Sequence, residues 1–162
     1  FSRPLSDNRQ KPIDLVLTGK LFPISSQEKP FYLSLQSHRH SLFEFLKVKD
    51  DDVHIRDLFS DYKLILKKSS VALGFSKQEI FETRLFPHED SFVFSRAFCI
   101  HPSEATSYIR KEIKKVKKLK EDDHFQAREE LMFRLLKMRY KIEQYKHVKL
   151  KDIYTNDSKL IL

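Results

Sequence analysis

Over the first hundred residues, apolar and polar positions alternate in short segments, a pattern typical of strands with one buried face. The alternation is clearest over residues 31–36, and a segment rich in Leu and Val, residues 13–22, precedes it. These two segments are predicted to be strands of a hairpin with a long polar loop. Further strands are predicted at 62–67, 80–86 and 92–100, a short helix at 41–48, and a solvated turn at the acidic triplet 50–52.

After Pro102 the apolar spacing becomes helical. Ala105, Ile109, Ile113 and Val116 follow one another at intervals of four, four and three residues, which places them on one face of a helix. The pair Asp122 and Asp123 begins a second helix that is predicted to run to about residue 147.

The apolar residues of this second helix fall into two rows. The first row, here called the seam, repeats at intervals of 4, 3, 4 and 3 residues, as in a heptad, and consists of Leu131, Leu135, Met138, Ile142 and Tyr145. The second ridge consists of Phe125, Met132, Phe133, Leu136 and Tyr140. One row is enough to dock the helix on its own sheet, so the other is free to meet another element of the chain or another subunit. The regular seam is predicted to be the row that binds a partner.

These patterns predict an α+β fold with a mainly antiparallel, sheet-rich head followed by two C-terminal helices. Residues 13–148 are assigned to a single domain, with the head at 13–100 and the helical part at 103–148. Residues 1–12 are assigned to a flexible lead-in and residues 149–162 to a tail.

Composition narrows the class of protein. A chain of 162 residues is about one domain long, and no apolar run reaches the ~18 residues that a membrane span requires. The single cysteine, Cys99, excludes an internal disulfide and fits a reducing compartment inside the cell, nuclear or cytoplasmic. With only Gly19 and Gly74, the chain lacks the clustered glycines of the common nucleotide-binding loops.

The net charge of +8 is concentrated in the helical part. Residues 101–162 hold 16 Lys and Arg against 10 acids, and seven of these basic residues lie between positions 106 and 120. On a helical wheel, six of them spread over the arc opposite the apolar stripe: Arg110, Lys111, Lys114, Lys115, Lys117 and Lys118. Such a face is suited to phosphates along a nucleic-acid backbone, DNA or RNA. The alternative interpretation is the solvated face of an ordinary amphipathic helix.

The candidate catalytic groups form weaker patterns. On a strand, His38 and His40 would share a face, and His54 and Asp57 could complete a set of metal ligands with them. Surface or capping roles are nevertheless predicted for the histidines, because isolated pairs lack closing ligands. Glu44, Asp57 and Asp61 have the loose spacing of nuclease carboxylates, but the acid-x-Lys pair, Glu112 and Lys114, lies on a predicted helix. Cys99 and His101 lack a group to orient the histidine.

The sequence therefore predicts a non-enzymatic subunit or domain of a larger assembly. It is expected to contact other protein subunits or a second copy of itself, and nucleic acid independently of base sequence. No metal, cofactor, small-molecule ligand or membrane is expected to bind. A purely protein-binding scaffold or dimerisation module is the alternative, and a metal-dependent nuclease is a third hypothesis.

Overall fold

A computed structural model describes residues 11–69, 74–145 and 147–157. Along the chain these residues form two short helices, six strands, a 3₁₀ turn at Ser103–Ala105 and three further helices. The helices are α1 (Pro12–Leu17), α2 (Lys29–Gln36), α3 (Thr106–Val116), α4 (Glu121–Gln144) and α5 (Leu150–Ile153). The strands are β1 (Arg39–Lys49), β2 (Asp52–Asp57), β3 (Lys63–Leu66), β4 (Ile80–His88), β5 (Ser91–Phe94) and β6 (Cys99–Ile100).

The strands form one antiparallel sheet in the order β3-β2-β1-β4-β5, with β6 added to β4. Strand β1 is central, and its first half pairs with β4 while its second half pairs with β2, with a bulge between Phe45 and Lys47. The sheet curls until β3 and β5 approach each other. There the Ser91 hydroxyl donates to the Ile65 carbonyl at 3.1 Å and accepts from the Lys67 N–H at 3.1 Å.

The inner, concave face of the curled sheet holds an aromatic cluster. Phe43 and Phe81 lie at its centre with ring centroids 5.9 Å apart, and neither is exposed. Phe75, Phe94 and other apolar side chains of the curled strands pack around them. Among the described residues, the members of this cluster all belong to the strands and their loops, and none belongs to the C-terminal helices.

The outer face is covered by the helices. Leu42 and Ile80 point outward from β1 and β4 into a second core that includes Ile109 of α3, Leu135 of α4 and Ile153 of α5. The predicted α+β fold, a mainly antiparallel sheet followed by C-terminal helices, is confirmed.

The segment 41–48 is strand β1, and the prediction of a helix there was wrong. Both faces of this strand are buried, because Leu42 meets the helices while Phe43 and Phe45 meet the aromatic cluster. A strand covered on both sides shows consecutive apolar residues in place of alternation. The acidic turn is made by Asp50 and Asp51, both with positive φ, and β2, which begins at the next residue, was not predicted.

The predicted hairpin of residues 13–22 and 31–36 was also wrong, since the structure has α1 and α2 there. Pro12 begins α1, and Gly19 (φ 70°) follows its end, the positions at which helices favour these residues. Pro30 lies in the first turn of α2. The alternation in α2 marks no buried face, because Phe31 and Leu33 are both exposed. These helices are held by contacts with each other, including a Gln36 to Asp14 hydrogen bond of 2.8 Å.

The segment assigned to a tail contains α5. Ile153 and Tyr154 are buried in the second core, so residues 150–154 pack on the helices that precede them. Most of the lead-in, residues 1–10, lies outside the described residues. Among the helices of the three described ranges, none is both long enough and apolar enough to cross a bilayer.

Candidate nucleic-acid interface

Helix α3 turns one face to the core and the other to solvent. Ile109, Ile113 and Val116 are buried against the sheet and α4, as their spacing predicted. The six predicted phosphate-binding residues of α3 and its C-terminal extension lie away from this stripe, and all are exposed or half-exposed. The amphipathic pattern therefore oriented the helix correctly.

A buried carboxylate connects α3 to the sheet. Glu44 points to the outer face of β1, where its Oε1 accepts a hydrogen bond from Arg110 Nη2 at 2.7 Å. The other oxygen, Oε2, lies 3.6 Å from Nη1 of Arg56, the residue opposite Glu44 on β2. Both guanidinium groups remain partly exposed while Glu44 is covered. Arg110 and Arg56 thus belong to one continuous surface that crosses from helix to sheet.

The same row continues onto the edge strand. Arg56 pairs in register with Lys63 of β3, so both side chains leave the outer face of the sheet. Sequence reasoning missed Arg56 because β2 was not recognised, and it missed Lys63, although β3 was predicted, because the pairing of β3 with β2 was not known. The signal was present, since Val53 and Ile55 alternate with His54 and Arg56, but the adjacent acidic triplet concealed it.

We call these eight basic residues the basic surface: Arg56, Lys63, Arg110, Lys111, Lys114, Lys115, Lys117 and Lys118. Three acids lie within it. They are Glu44, Asp61 and Glu112. Asp61 accepts a hydrogen bond from Lys117 Nζ at 2.5 Å, and Glu112 lies 2.6 Å from Lys115 Nζ. The basic residues outnumber the acids by five, so the surface is strongly positive.

Glu112 also fastens α3 to the elements that follow it. It accepts hydrogen bonds from Arg134 of α4 at 2.8 Å and from Asn156 at 3.0 Å. Burial alone acts to raise the pKa of Glu112, but the hydrogen bonds from Lys115 and Asn156 and the nearby cations outweigh it and lower the pKa. The carboxylate therefore stays charged and holds α3 in a fixed orientation.

The six predicted residues divide into two groups. Arg110, Lys115 and Lys117 each have an acidic partner, as described above. Lys111, Lys114 and Lys118 are exposed, and no acid of the described residues lies within ion-pair distance of them. These three side chains are the ones most available to an anionic ligand, because no internal ion pair must break first.

The seam of α4 is in a different environment from the one predicted. Leu131, Leu135 and Met138 are buried in the chain's own core, Ile142 is partly buried against it, and Tyr145 is exposed. The prediction that this row faces a partner is therefore corrected for the three buried residues, since α3, α5 and the sheet already cover them. The exposed apolar side chains of α4, Phe125, Phe133, Leu136 and Tyr140, belong to the second ridge, whose remaining member, Met132, is buried in the core.

The proposed nuclease carboxylates are all engaged by the chain itself. Glu44 and Asp61 are in the ion pairs described above, and the buried Asp57 accepts from the Ser41 hydroxyl and the Phe59 N–H, each at 2.9 Å. Among the described residues, no group of three or more His, Cys, Asp or Glu side chains is placed to hold a metal ion.

Two of the three histidines considered as metal ligands, His38 and His40, have other partners. His38 donates from Nδ1 to the Leu35 carbonyl in the last turn of α2 at 2.7 Å, and burial lowers its pKa. His40 lies 2.7 Å from the Glu82 carboxylate through Nε2. The first contact lies between the end of α2 and the residue before β1, and the second joins β1 to β4.

Cys99 and His101 do not form a reactive pair. Burial, with a smaller effect of the Glu82 charge, raises the pKa of the Cys99 thiol to about 11. His101 is buried, its Nδ1 hydrogen-bonds the Tyr154 hydroxyl at 2.9 Å, and burial lowers its pKa to about 4. A protonated thiol beside a histidine engaged by a tyrosine lacks the thiolate that nucleophilic catalysis requires.

A model of a protein family described as a family of unknown function, DUF7986, matches residues 20–146. The match includes α2, all six strands, α3 and α4. No curated protein and no solved structure matches the chain.

Proposed function

The chain belongs to DUF7986, a family of unknown function, and from its own residues we propose that it is a non-enzymatic subunit or domain of a larger assembly that binds the sugar-phosphate backbone of nucleic acid. Its ligand-binding region is the basic surface. The observation that carries this proposal is the contact of Glu44 with both Arg110 and Arg56, which joins the helix and the sheet into one positive face.

The residue types favour contact with the backbone over reading of bases. Six of the eight basic residues are lysines, whose ammonium group is a point charge without the two-pronged geometry that arginine presents to guanine. Phosphate contacts position a protein on nucleic acid but carry no base information. Binding is therefore expected to depend weakly on sequence. Such a role belongs inside the cell, in the nucleus or cytoplasm, where the free Cys99 stays reduced.

The test is a charge reversal restricted to lysines outside ion pairs. The triple variant Lys111→Glu, Lys114→Glu and Lys118→Glu is expected to abolish binding of a short oligonucleotide in fluorescence anisotropy. Each lysine–phosphate contact that is removed should reduce the steepness of the slope of log K against log salt concentration by about 1. The fold should persist, because these side chains are exposed and hold no ion pair among the described residues.

A matched control carries the same change in net charge elsewhere. Lys20→Glu, Lys29→Glu and Lys149→Glu alter exposed lysines outside α3 and the sheet. We expect this control to retain most of the affinity. Equal losses in the two triple variants would show that only net charge matters, and absence of binding by the wild type at low salt would reject the proposal.

A second candidate function, a protein-binding scaffold or dimerisation module, is favoured by the second ridge of α4. Phe133, Leu136 and Tyr140 are 44%, 43% and 60% exposed and follow one another at helical spacing. Contiguous exposed apolar side chains of this kind mark protein interfaces. Light scattering of the purified chain over a range of concentrations, with and without nucleic acid, separates the two functions.

A further inference from the structure

The exposed apolar residues of α4 are arranged symmetrically along the helix. They begin at Phe125 and end at Tyr140, and Phe133 lies at the middle of this stretch and of the helix itself, which spans Glu121–Gln144. With 3.6 residues per turn, Phe133, Leu136 and Tyr140 lie within about 60° of one another around the helix axis. The helix therefore presents an apolar patch to solvent at its midpoint, on the side away from the buried seam.

The charge of α4 changes sign at the same midpoint. Residues 121–132 hold five acids and one arginine, whereas residues 133–144 hold two arginines, two lysines and one acid. One half of the helix is therefore strongly negative and the other half strongly positive. A single surface helix with this distribution offers opposite charges to a partner at its two ends.

Four of these charges border the exposed apolar patch. Asp123 and Glu130 precede the midpoint, and Lys137 and Lys141 follow it. All four lie about 40–80° to the same side of Phe133 around the helix axis, and all are exposed or half-exposed. The patch thus has acids along the first half of one border and lysines along the second half of that same border.

This pattern is complementary to a second copy of itself when the two helices run antiparallel. A two-fold axis at Phe133 places each residue before the midpoint opposite a residue equally far after it, and it keeps the charged borders of both helices together. Glu130 then meets Lys137 of the second copy, and Asp123 meets Lys141 of the second copy. Each pair occurs twice. A parallel arrangement would instead set acids beside acids and lysines beside lysines, which is unfavourable.

We propose that a second copy of this chain docks on the exposed part of the second ridge, with the two α4 helices antiparallel about a two-fold axis at Phe133. This inference rests on the second candidate function, dimerisation, and names its partner and orientation. An apolar centre with a charged border has the composition of a protein interface. A second copy is the partner because the charges of α4 themselves supply the complement that the border requires.

The first test inverts the charge pairs in the full chain and measures the dimer dissociation constant by sedimentation equilibrium. Glu130→Lys sets two lysines against each other at both ends of the interface, and Lys137→Glu sets two acids there. Each variant is expected to dimerise roughly 10- to 100-fold more weakly than the wild type, because two equivalent pairs are inverted at once.

The double variant that carries both changes restores opposite charges across the axis and leaves the net charge as it was. It should dimerise as the wild type does. A merely destabilised fold would not be rescued by the second substitution, so rescue requires the two residues to face each other. Failure of the double variant to regain affinity would overturn the proposed orientation.

The second test uses the axis itself, where a residue meets its own copy. Phe133→Asp places two carboxylates together and should give a monomer at every concentration measured. Phe31→Asp, which alters a 61% exposed ring on α2, is the matched control and should dimerise as the wild type does. Circular dichroism of each variant checks that the fold is kept.

Two further outcomes separate this inference from nucleic-acid binding. A wild-type chain that is monomeric at all concentrations would overturn the inference, and so would equal dimerisation of Phe133→Asp and the wild type. Oligonucleotide binding by the basic surface is measured separately by fluorescence anisotropy. A dimer that binds no oligonucleotide would overturn the nucleic-acid function and support the inference.

Discussion

The two rows of α4 each hold five apolar residues but differ in burial: three residues of the seam are buried, whereas all of the second ridge except Met132 is exposed. On one side, Leu135 is fully buried beneath α3 and the sheet. On the other, the neighbouring Leu136 is 43% exposed. The regular 4-3-4-3 spacing belongs to the buried side. In this chain, regular spacing therefore marks the row that the domain needs for its own core, and the less regular row remains available to a partner.

The largest expected effect comes from truncating the buried side. Leu135→Ala should lower the free energy of unfolding by about 2–5 kcal/mol, because it removes a fully buried side chain and leaves a cavity. Chemical denaturation with a circular-dichroism readout measures this change. A loss below about 1 kcal/mol would show that the α4 seam is not covered in solution, and the comparison of the two sides would fail.

A second effect of the buried side is sensitivity to acid. His101, beneath Tyr154, has its pKa lowered by burial to about 4, whereas in the unfolded chain it returns to about 6.5. Between these values the unfolded chain binds more protons, so stability falls as the pH decreases. Stability should be fully present above about pH 7 and should fall by about 2 kcal/mol by pH 5 through this residue.

His101→Gln, measured beside the wild type by urea denaturation at pH 7 and pH 5, isolates this contribution. Glutamine keeps a hydrogen-bonding partner for Tyr154 but does not titrate. The variant should lose less stability between the two pH values than the wild type does. Identical pH dependence in the two proteins would place the acid sensitivity in other groups, such as His38.

The smallest expected effect on stability is on the exposed side. Leu136→Ala should change the free energy of unfolding by less than about 0.5 kcal/mol, as is usual for surface substitutions. If the second ridge contacts a partner or a second copy, the same variant should weaken association in light scattering. A loss of stability comparable to that of Leu135→Ala would mean that both sides of α4 are enclosed by the chain.

By itself the sequence determined the helical half of the molecule and its polarity. The spacing of Ile109, Ile113 and Val116 is a local property of one helix, so it correctly predicted both the helix and the exposure of its lysines. The strands β3 and β4 were found for the same reason, since period-two patterning is also local.

The tertiary structure decided what depends on contacts between distant segments. Strand β1 has two apolar faces only because the aromatic cluster lies on one side and the helices on the other, so no local pattern distinguished it from a helix. The packing of α3 and α5 against one side of α4 determines which of its two rows is buried. The link from Arg110 through Glu44 to Arg56 joins residues far apart in sequence, and only the folding of α3 onto the sheet brings those charges together.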